Sequence, residues 1–237
     1  MNCMCCAKPL TKIINMPNDV YMCVSCGHTF RDYSHIDLKT FYNEEYRRKA
    51  QRSGVRPNAA LLKERNLRLI EIIKKYLTDD SYFEFGAADG NFSTLLKEHS
   101  SVADITCCEI DRDMAEKCRN AGHKVINCDF FDLEENSAQC FMAFDVLEHI
   151  LDLEKVLVQI DKLNFKKVIL TLPVKREIHG RNPFDGHFHY FTKRSIQSLF
   201  KEKFEMIFYY ESAKREIKNG QNMIVVFEQK ESPSEVV

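Results

Sequence analysis

The sequence predicts an α/β fold in which a doubly wound, mostly parallel sheet follows a small amino-terminal metal-binding module. Three observations predict it. Tyr82-Phe83-Glu84-Phe85-Gly86-Ala87-Ala88-Asp89-Gly90 reads as an apolar strand that passes through an acidic residue into a small-residue turn. Glu109 closes a second apolar run, Ile105-Thr106-Cys107-Cys108, about twenty residues on. Two C-x2-C pairs, Cys3 with Cys6 and Cys23 with Cys26, stand sixteen residues apart at the amino end.

The amino-terminal module, 1–30, is expected to be a zinc ribbon. Two tight knuckles each offer two sulfurs to a tetrahedral ion, and the segment between them can return as a hairpin around Pro17-Asn18-Asp19. Gly27 lets the second knuckle turn its backbone N–H groups toward the sulfurs, and Cys5 and His28 stand close enough in sequence to substitute for one of the four ligands. Four protein ligands leave no open position, so the expected zinc is structural. The cysteines Cys107, Cys108, Cys118, Cys128 and Cys140 lie in apolar or helical contexts and read as small buried hydrophobes. A chain of 237 residues is long enough for one α/β domain plus a module that needs metal in place of a core.

A connector, 31–57, carries Phe41-Tyr42-Asn43-Glu44-Glu45-Tyr46, a mixed aromatic and charged segment suited to a short helix over a cleft. The main domain is expected over 58–230. Leu61, Leu62, Arg65, Leu69, Ile72, Ile73 and Tyr76 recur at helical spacing and predict an amphipathic helix before the first parallel strand. After Glu109 come a helical stretch to Asn120, a turn at Ala121-Gly122, a strand from Lys124 to Cys128, a strand from Cys140 to Phe144 and another from Lys167 to Leu172. A helix follows from Lys193 to Phe200, and the tail 231–237, with Ser232, Pro233 and Ser234, reads as disordered.

Gly86, Ala88 and Gly90 fall on alternate positions, so the backbone can turn sharply at a strand's carboxyl end and admit a ligand that side chains would block. A dinucleotide pyrophosphate would favour G-x-G-x-x-G leading into a helix, but no glycine follows Gly90 nearby. Glu84 to Gly90, Glu109, Asp129-Phe130 and Asp145-Val146-Leu147-Glu148-His149, in that order, resemble the successive motifs of class I S-adenosylmethionine-dependent methyltransferases. The resemblance runs from about Ala59 to Glu228 and implies a Rossmann-like sheet. It implies that Glu84, Gly86, Ala88, Asp89 and Gly90 hold the donor's methionine part. Glu109 would hold its ribose, Asp129 and Phe130 would flank adenine, and Ile110, Asp145 and Val146 would complete the set. Ala88 replaces the family's middle glycine, a change expected to be tolerated at negative φ.

Beyond the last parallel strand the loop Asn182-Pro-Phe-Asp-Gly-His-Phe-His-Tyr-Phe-Thr192 leaves the sheet edge where open α/β folds bind ligands. It carries Asp185, His187 and His189 within five positions. His187, His189 and Phe191 alternate and are expected on one face. A metal on the two histidines would need a third ligand that the local sequence does not supply. The loop and the connector are similar to those of sugar C-methyltransferases with an amino-terminal zinc module, although Phe184 and Gly186 stand where that group has tyrosine and glutamate. The similarity implies His187 as general base, Asp185 or His149 as its orienting partner, and Tyr42, Tyr46 and His189 as substrate contacts.

The implied activity is methyl transfer from S-adenosylmethionine to a small-molecule acceptor, a sugar nucleotide or surface-polysaccharide precursor. Two other functions stay open: an RNA methyltransferase using its zinc module on the substrate, and a non-catalytic subunit of the same fold. A net charge of −1 argues against broad nucleic-acid binding. The sequence has no secretory signal or membrane-spanning run, so a reducing, cytoplasmic setting without disulfides is expected. Neither the oligomeric state nor the methylated atom can be read from it.

Overall fold

The computed structural model describes residues 1–14, 20–32, 59–174, 187–212 and 222–231. Strands β1 (Thr11–Ile14), β2 (Val20–Met22) and β3 (Thr29–Arg31) come first, followed by helix α1 (Ala59–Ile73). Strands β4 (Ser81–Phe85), β5 (Asp104–Cys108), β6 (Lys124–Ile126), β7 (Cys140–Phe144) and β8 (Lys167–Pro173) then alternate with α2 (Asn91–His99), α3 (Arg112–Asn120) and α4 (Leu153–Lys162). A two-residue strand β9 (His189–Tyr190), helix α5 (Lys193–Phe200) and strands β10 (Phe204–Glu211) and β11 (Asn222–Gln229) complete the described chain.

The main sheet runs β10-β11-β8-β7-β4-β5-β6, with β6, β5, β4, β7 and β8 parallel and β11 antiparallel to both its neighbours. Strand alternation builds two cores. On one face Phe83, Phe141, Val168 and Leu170 pack with Leu153, Val156 and Ile160 of α4 and with Ile196, Leu199 and Phe200 of α5. On the other face Tyr82, Met142, Ile105 and Ile169 pack with Leu69, Ile70 and Ile73 of α1, Leu95 and Leu96 of α2, and Cys118 of α3. The helix starts follow from their capping residues. Asp111 accepts from the N–H groups of Asp113 and Met114, Asp152 from those of Glu154 and Lys155, and Thr192 forms a capping box with Ser195.

The order β6-β5-β4-β7 leaves a crevice at the carboxyl ends of β4 and β7, where the strand order reverses and ligands bind. The amino-terminal strands form a second sheet, β1-β2-β3-β9. Its fourth strand comes from the far end of the chain: Thr29 pairs with Tyr190 and Phe30 with His189. The first thirty residues therefore share a sheet with the loop expected to carry the chemistry. The hairpin turn around Pro17-Asn18-Asp19, the connector beyond Asp32, Asp185 and the tail from Ser232 lie outside the described residues, as do Tyr42 and Tyr46, while Arg31 belongs to β3. Among the described residues no helix is long and apolar enough to cross a membrane.

Candidate active site

The turn after β4 is built by close approach. Gly86 has φ +74°, and a Cβ there would sit 2.7 Å from Cγ2 of Val146; one at Gly90, φ +77°, would sit 2.7 Å from Cys118 Sγ and His123 Cδ2. Ala88 lies between them at φ +49°, so the condition for easy tolerance of its methyl, a negative φ, is not met. A methyl in the left-handed region costs roughly 1–2 kcal/mol. The Ala88 N–H is satisfied by Glu109 Oε2 at 2.9 Å, while Oε1 accepts from the Asp111 N–H at 2.8 Å, so the Glu109 carboxylate is locked across the turn. Ala88→Gly is expected to raise stability by about 1 kcal/mol, seen as a melting point a few degrees higher. An unchanged or lower melting point would count against strain at this position.

Glu84 lies beneath the turn, 3% exposed, and accepts from the Ser93 hydroxyl. Burial pushes its carboxyl up from the ordinary range to about 7, and the Ser93 hydrogen bond opposes part of that shift. Asp89 is exposed on the same turn.

At the ends of β5 and β6, Ile110 is 68% exposed, and Asn127 Nδ2 donates to the carbonyls of Glu109 and Ile110. Asp129 Oδ1 accepts from the Phe131 N–H at 3.1 Å. The family resemblance implies that Phe130 flanks adenine; its ring is instead 1% exposed and packs against Phe83, Phe85 and Phe141. Phe130 thus belongs to the core, and any contact it makes with a ligand comes from its backbone. The half-buried aromatic at this edge is Phe131.

At the end of β7, Asp145 adopts φ +56°, which short polar side chains tolerate. Its Oδ2 pairs with Arg65 Nη1 of α1 at 2.8 Å, and its Oδ1 accepts from Thr171 Oγ1 at 3.0 Å and Asn222 Nδ2 at 3.1 Å. The next turn carries Glu148, buried at 1% exposure, and half-buried His149. The His149 ring meets the His187 ring edge-on, with centroids 4.7 Å apart at 76°. A hydrogen bond from the Phe188 N–H to the Glu148 carbonyl, 2.8 Å, holds the two segments together.

His189 does not face this cleft. It is fully buried, with Nε2 donating to the Ile150 carbonyl at 2.8 Å and Nδ1 accepting from His28 Nε2 at 3.1 Å. Burial pulls its pKa down to about 3. The expected common face fails because His187 precedes β9, while His189 is within it and pairs toward β3.

The cysteine pairs converge as their spacing predicts. Cys3 Sγ is 3.6 Å from Cys26 Sγ, Cys6 Sγ is 3.5 Å from Cys23 Sγ, and the four sulfurs all lie within 4.8 Å of one another. No disulfide forms among the cysteines. The two knuckles repeat one backbone pattern: Ala7 N–H to Cys3 carbonyl and Gly27 N–H to Cys23 carbonyl, both 2.8 Å, with Ala7 and Gly27 left-handed at φ +57° and +76°. Cys5 groups with Cys3 and His28 rather than with all four sulfurs, and His28 Nδ1 lies 3.5 Å from Cys3 Sγ. The hydrogen bond from Cys5 draws the Cys3 thiol down, while burial pushes Cys26 up. Thiols crowded this closely cannot all ionise without a cation between them.

A family model for the methyltransferase domain matches residues 44–203. The chain belongs to the class I S-adenosylmethionine-dependent methyltransferases. Solved structures share the fold at low identity. Magnesium protoporphyrin IX methyltransferase from Synechocystis PCC 6803 aligns with TM-score 0.63 and 11% identity over 84% of this chain and 100% of that one. The methyltransferase domain of bacterial-CtHen1-C aligns with TM-score 0.55 and 15% identity over 72% and 100%. The [4+2]-cyclase SpnF aligns with TM-score 0.58 and 13% identity over 70% and 81%, which shows that this fold also carries other chemistry. No curated protein matches the sequence.

Several residues of this methyltransferase's cleft escape a motif reading. Arg65 is one position in the helical repeat of α1, yet it reaches Asp145 from that helix. Thr171 and Asn222 sit on strands far along the chain, and no local pattern marks them. Glu148 lies inside Asp-Val-Leu-Glu-His, but only the structure shows it buried beside two imidazoles.

Proposed function

We propose that this methyltransferase modifies a hydroxyl of a small molecule, a sugar nucleotide or surface-polysaccharide precursor. The observation that carries the reading is the His149–His187 pair, which meets beyond Val146 at the carboxyl edge of β7, beside the turn that Gly86 packs against Val146. The residues present suit the donor. Glu84 and Asp89 offer negative charge to its cationic amino-acid part. Each Glu109 oxygen keeps a lone pair for ribose hydroxyls beyond the backbone bonds it already accepts. Asp129, the Phe130 backbone and exposed Ile110 suit adenine, and Asp145, held by Arg65, Thr171 and Asn222, fixes the floor of the crevice. When bound, the donor supplies a methyl group already activated by its sulfonium.

The protein's tasks are to orient the acceptor oxygen, exclude water and manage the hydroxyl proton. His187, with His149 or Asp185 orienting it, assists the loss of that proton, a role worth about a hundred- to ten-thousandfold in rate. Tyr42 and Tyr46 contact the acceptor. The four thiols Cys3, Cys6, Cys23 and Cys26 hold a structural zinc. Zn–S bonds of about 2.3 Å in a tetrahedron place sulfurs about 3.8 Å apart, close to the 3.5 and 3.6 Å seen here.

Calorimetry of S-adenosylmethionine on zinc-replete protein tests the donor site. Glu84 is neutral below about pH 7 and ionised above it, and a cationic ligand favours the ionised form. Donor affinity should therefore rise with pH up to about 7, by at most about tenfold per unit, and then level off. Glu84→Gln should flatten the profile. Transfer of labelled methyl into fractionated cell extracts then identifies the acceptor. No donor uptake would overturn the cofactor reading, and label found in RNA would overturn the small-molecule one.

A further inference from the structure

We propose that Glu148, His149 and His187 bind a divalent first-row transition-metal cation, and that the acceptor's hydroxyl oxygen takes one of the coordination positions these three leave open. The inference rests on the acceptor cleft assigned above and specifies how that cleft handles its substrate.

One ligand atom from each of the three residues lies within 4.8 Å of the others, a spread that a single ion can span. Glu148 adds an independent observation. Its side chain is 1% exposed, and its Oε2 is buried with no hydrogen-bond partner among the described residues. Its Oε1 lies 3.9 Å from His149 Nε2. A buried carboxylate in that state is costly unless positive charge reaches it. The nearby guanidinium, Arg65, is paired with Asp145 at 2.8 Å.

Other nearby groups are committed elsewhere. The Asp145 oxygens are taken by Arg65, Thr171 and Asn222, and both ring nitrogens of His189 are used by His28 and the Ile150 carbonyl. The sequence pointed to His187 and His189 and found no third ligand. The fold removes His189 and brings in two ligands from the turn after β7. The Phe188-to-Glu148 backbone bond holds the cluster in register, and the Arg31 N–H donates to the Phe188 carbonyl from β3 at 2.8 Å. Two imidazoles and one carboxylate suit manganese, iron, cobalt or zinc, and three protein ligands leave room for substrate. A hydroxyl bound to such an ion is more acidic, so its proton can pass to water. His187 then acts on the acceptor through the cation rather than by taking the proton itself. The acceptor oxygen forms its bond to the methyl carbon, the carbon–sulfur bond breaks, and sulfur keeps that electron pair as a neutral thioether.

Manganese is the probe because it favours nitrogen and oxygen donors over the thiolates of the cysteine cluster. Full-length protein with its zinc retained is titrated with Mn2+, and the free-ion signal is followed by electron paramagnetic resonance. The proposal expects one Mn2+ per chain. It also expects binding at least about tenfold weaker in Glu148→Gln, and in His187→Ala should the buried substitution fail to fold. Absence of binding in the native protein, or native affinity in His187→Ala, overturns it. Calorimetry of S-adenosylmethionine on the same samples reads the donor site separately, so failure of the metal proposal and failure of the methyltransferase cleft give different results.

Discussion

Removing the zinc proposed for the amino-terminal cluster will stop methyl transfer while leaving donor binding largely intact. The four strands β1, β2, β3 and β9 are only two to four residues long, too short to hold a sheet unaided. Structural zinc in small modules supplies about 10–16 kcal/mol, more than a sheet of this size can replace. Its loss releases β9 from β3 and breaks the bond from His28 to His189. Phe188 then loses the Arg31 N–H, and His187 loses its fixed position against Glu148 and His149. The donor cradle around Gly86 and Glu109 lies on β4 and β5 and keeps its own hydrogen bonds. Chelation after thiol displacement, with zinc release, turnover and donor calorimetry on one sample, checks the prediction. Full turnover in zinc-free protein would rule the linkage out.

His187→Ala will reduce turnover by about a hundred- to ten-thousandfold and leave donor affinity unchanged. The residue is half-buried at the rim, so its truncation removes little packing. It touches His149 and lies beyond the turn residues that would hold the donor. The split between turnover and donor affinity, read by steady-state kinetics and calorimetry, separates an acceptor-handling role from a structural one. A structural role would lower both together. Full activity in the variant would remove His187 from the chemistry.

Much of this architecture is legible in the sequence wherever the pattern is long or rigid. The runs Tyr82 to Phe85, Ile105 to Cys108 and Cys140 to Phe144 became strands because near-continuous apolar runs need two covered faces, and the helix over Lys193–Phe200 has its capping box written in Thr192 and Ser195. The cysteine spacing foretold the converging sulfurs. Where the reading fell short, the deciding contact is distant. A two-residue strand carries no periodicity, so β9 and the turn of His189 away from the cleft could not be read. Phe130 follows Asp129 at a position that the motif assigns to a ligand, but the three-residue turn rotates its ring into the core. Ala88 adopts positive φ because its N–H must reach Glu109, a residue twenty-one positions away. Arg65 and Glu148 stand out only once α1 and the turn after β7 are side by side at one sheet edge.

The shared sheet also bears on how the protein can be cut. Phe188, His189 and Phe191 are at most 1% exposed, His28 stacks on the last two, and Arg31 lies over the Tyr190 ring. A fragment beginning after the cysteine knuckles would leave β9 with an open ladder and turn a cluster of aromatic rings out to water, the kind of edge that seeks another chain. The first thirty residues are therefore not a detachable tag, and shortened versions of the enzyme should be expected to aggregate before they can be assayed.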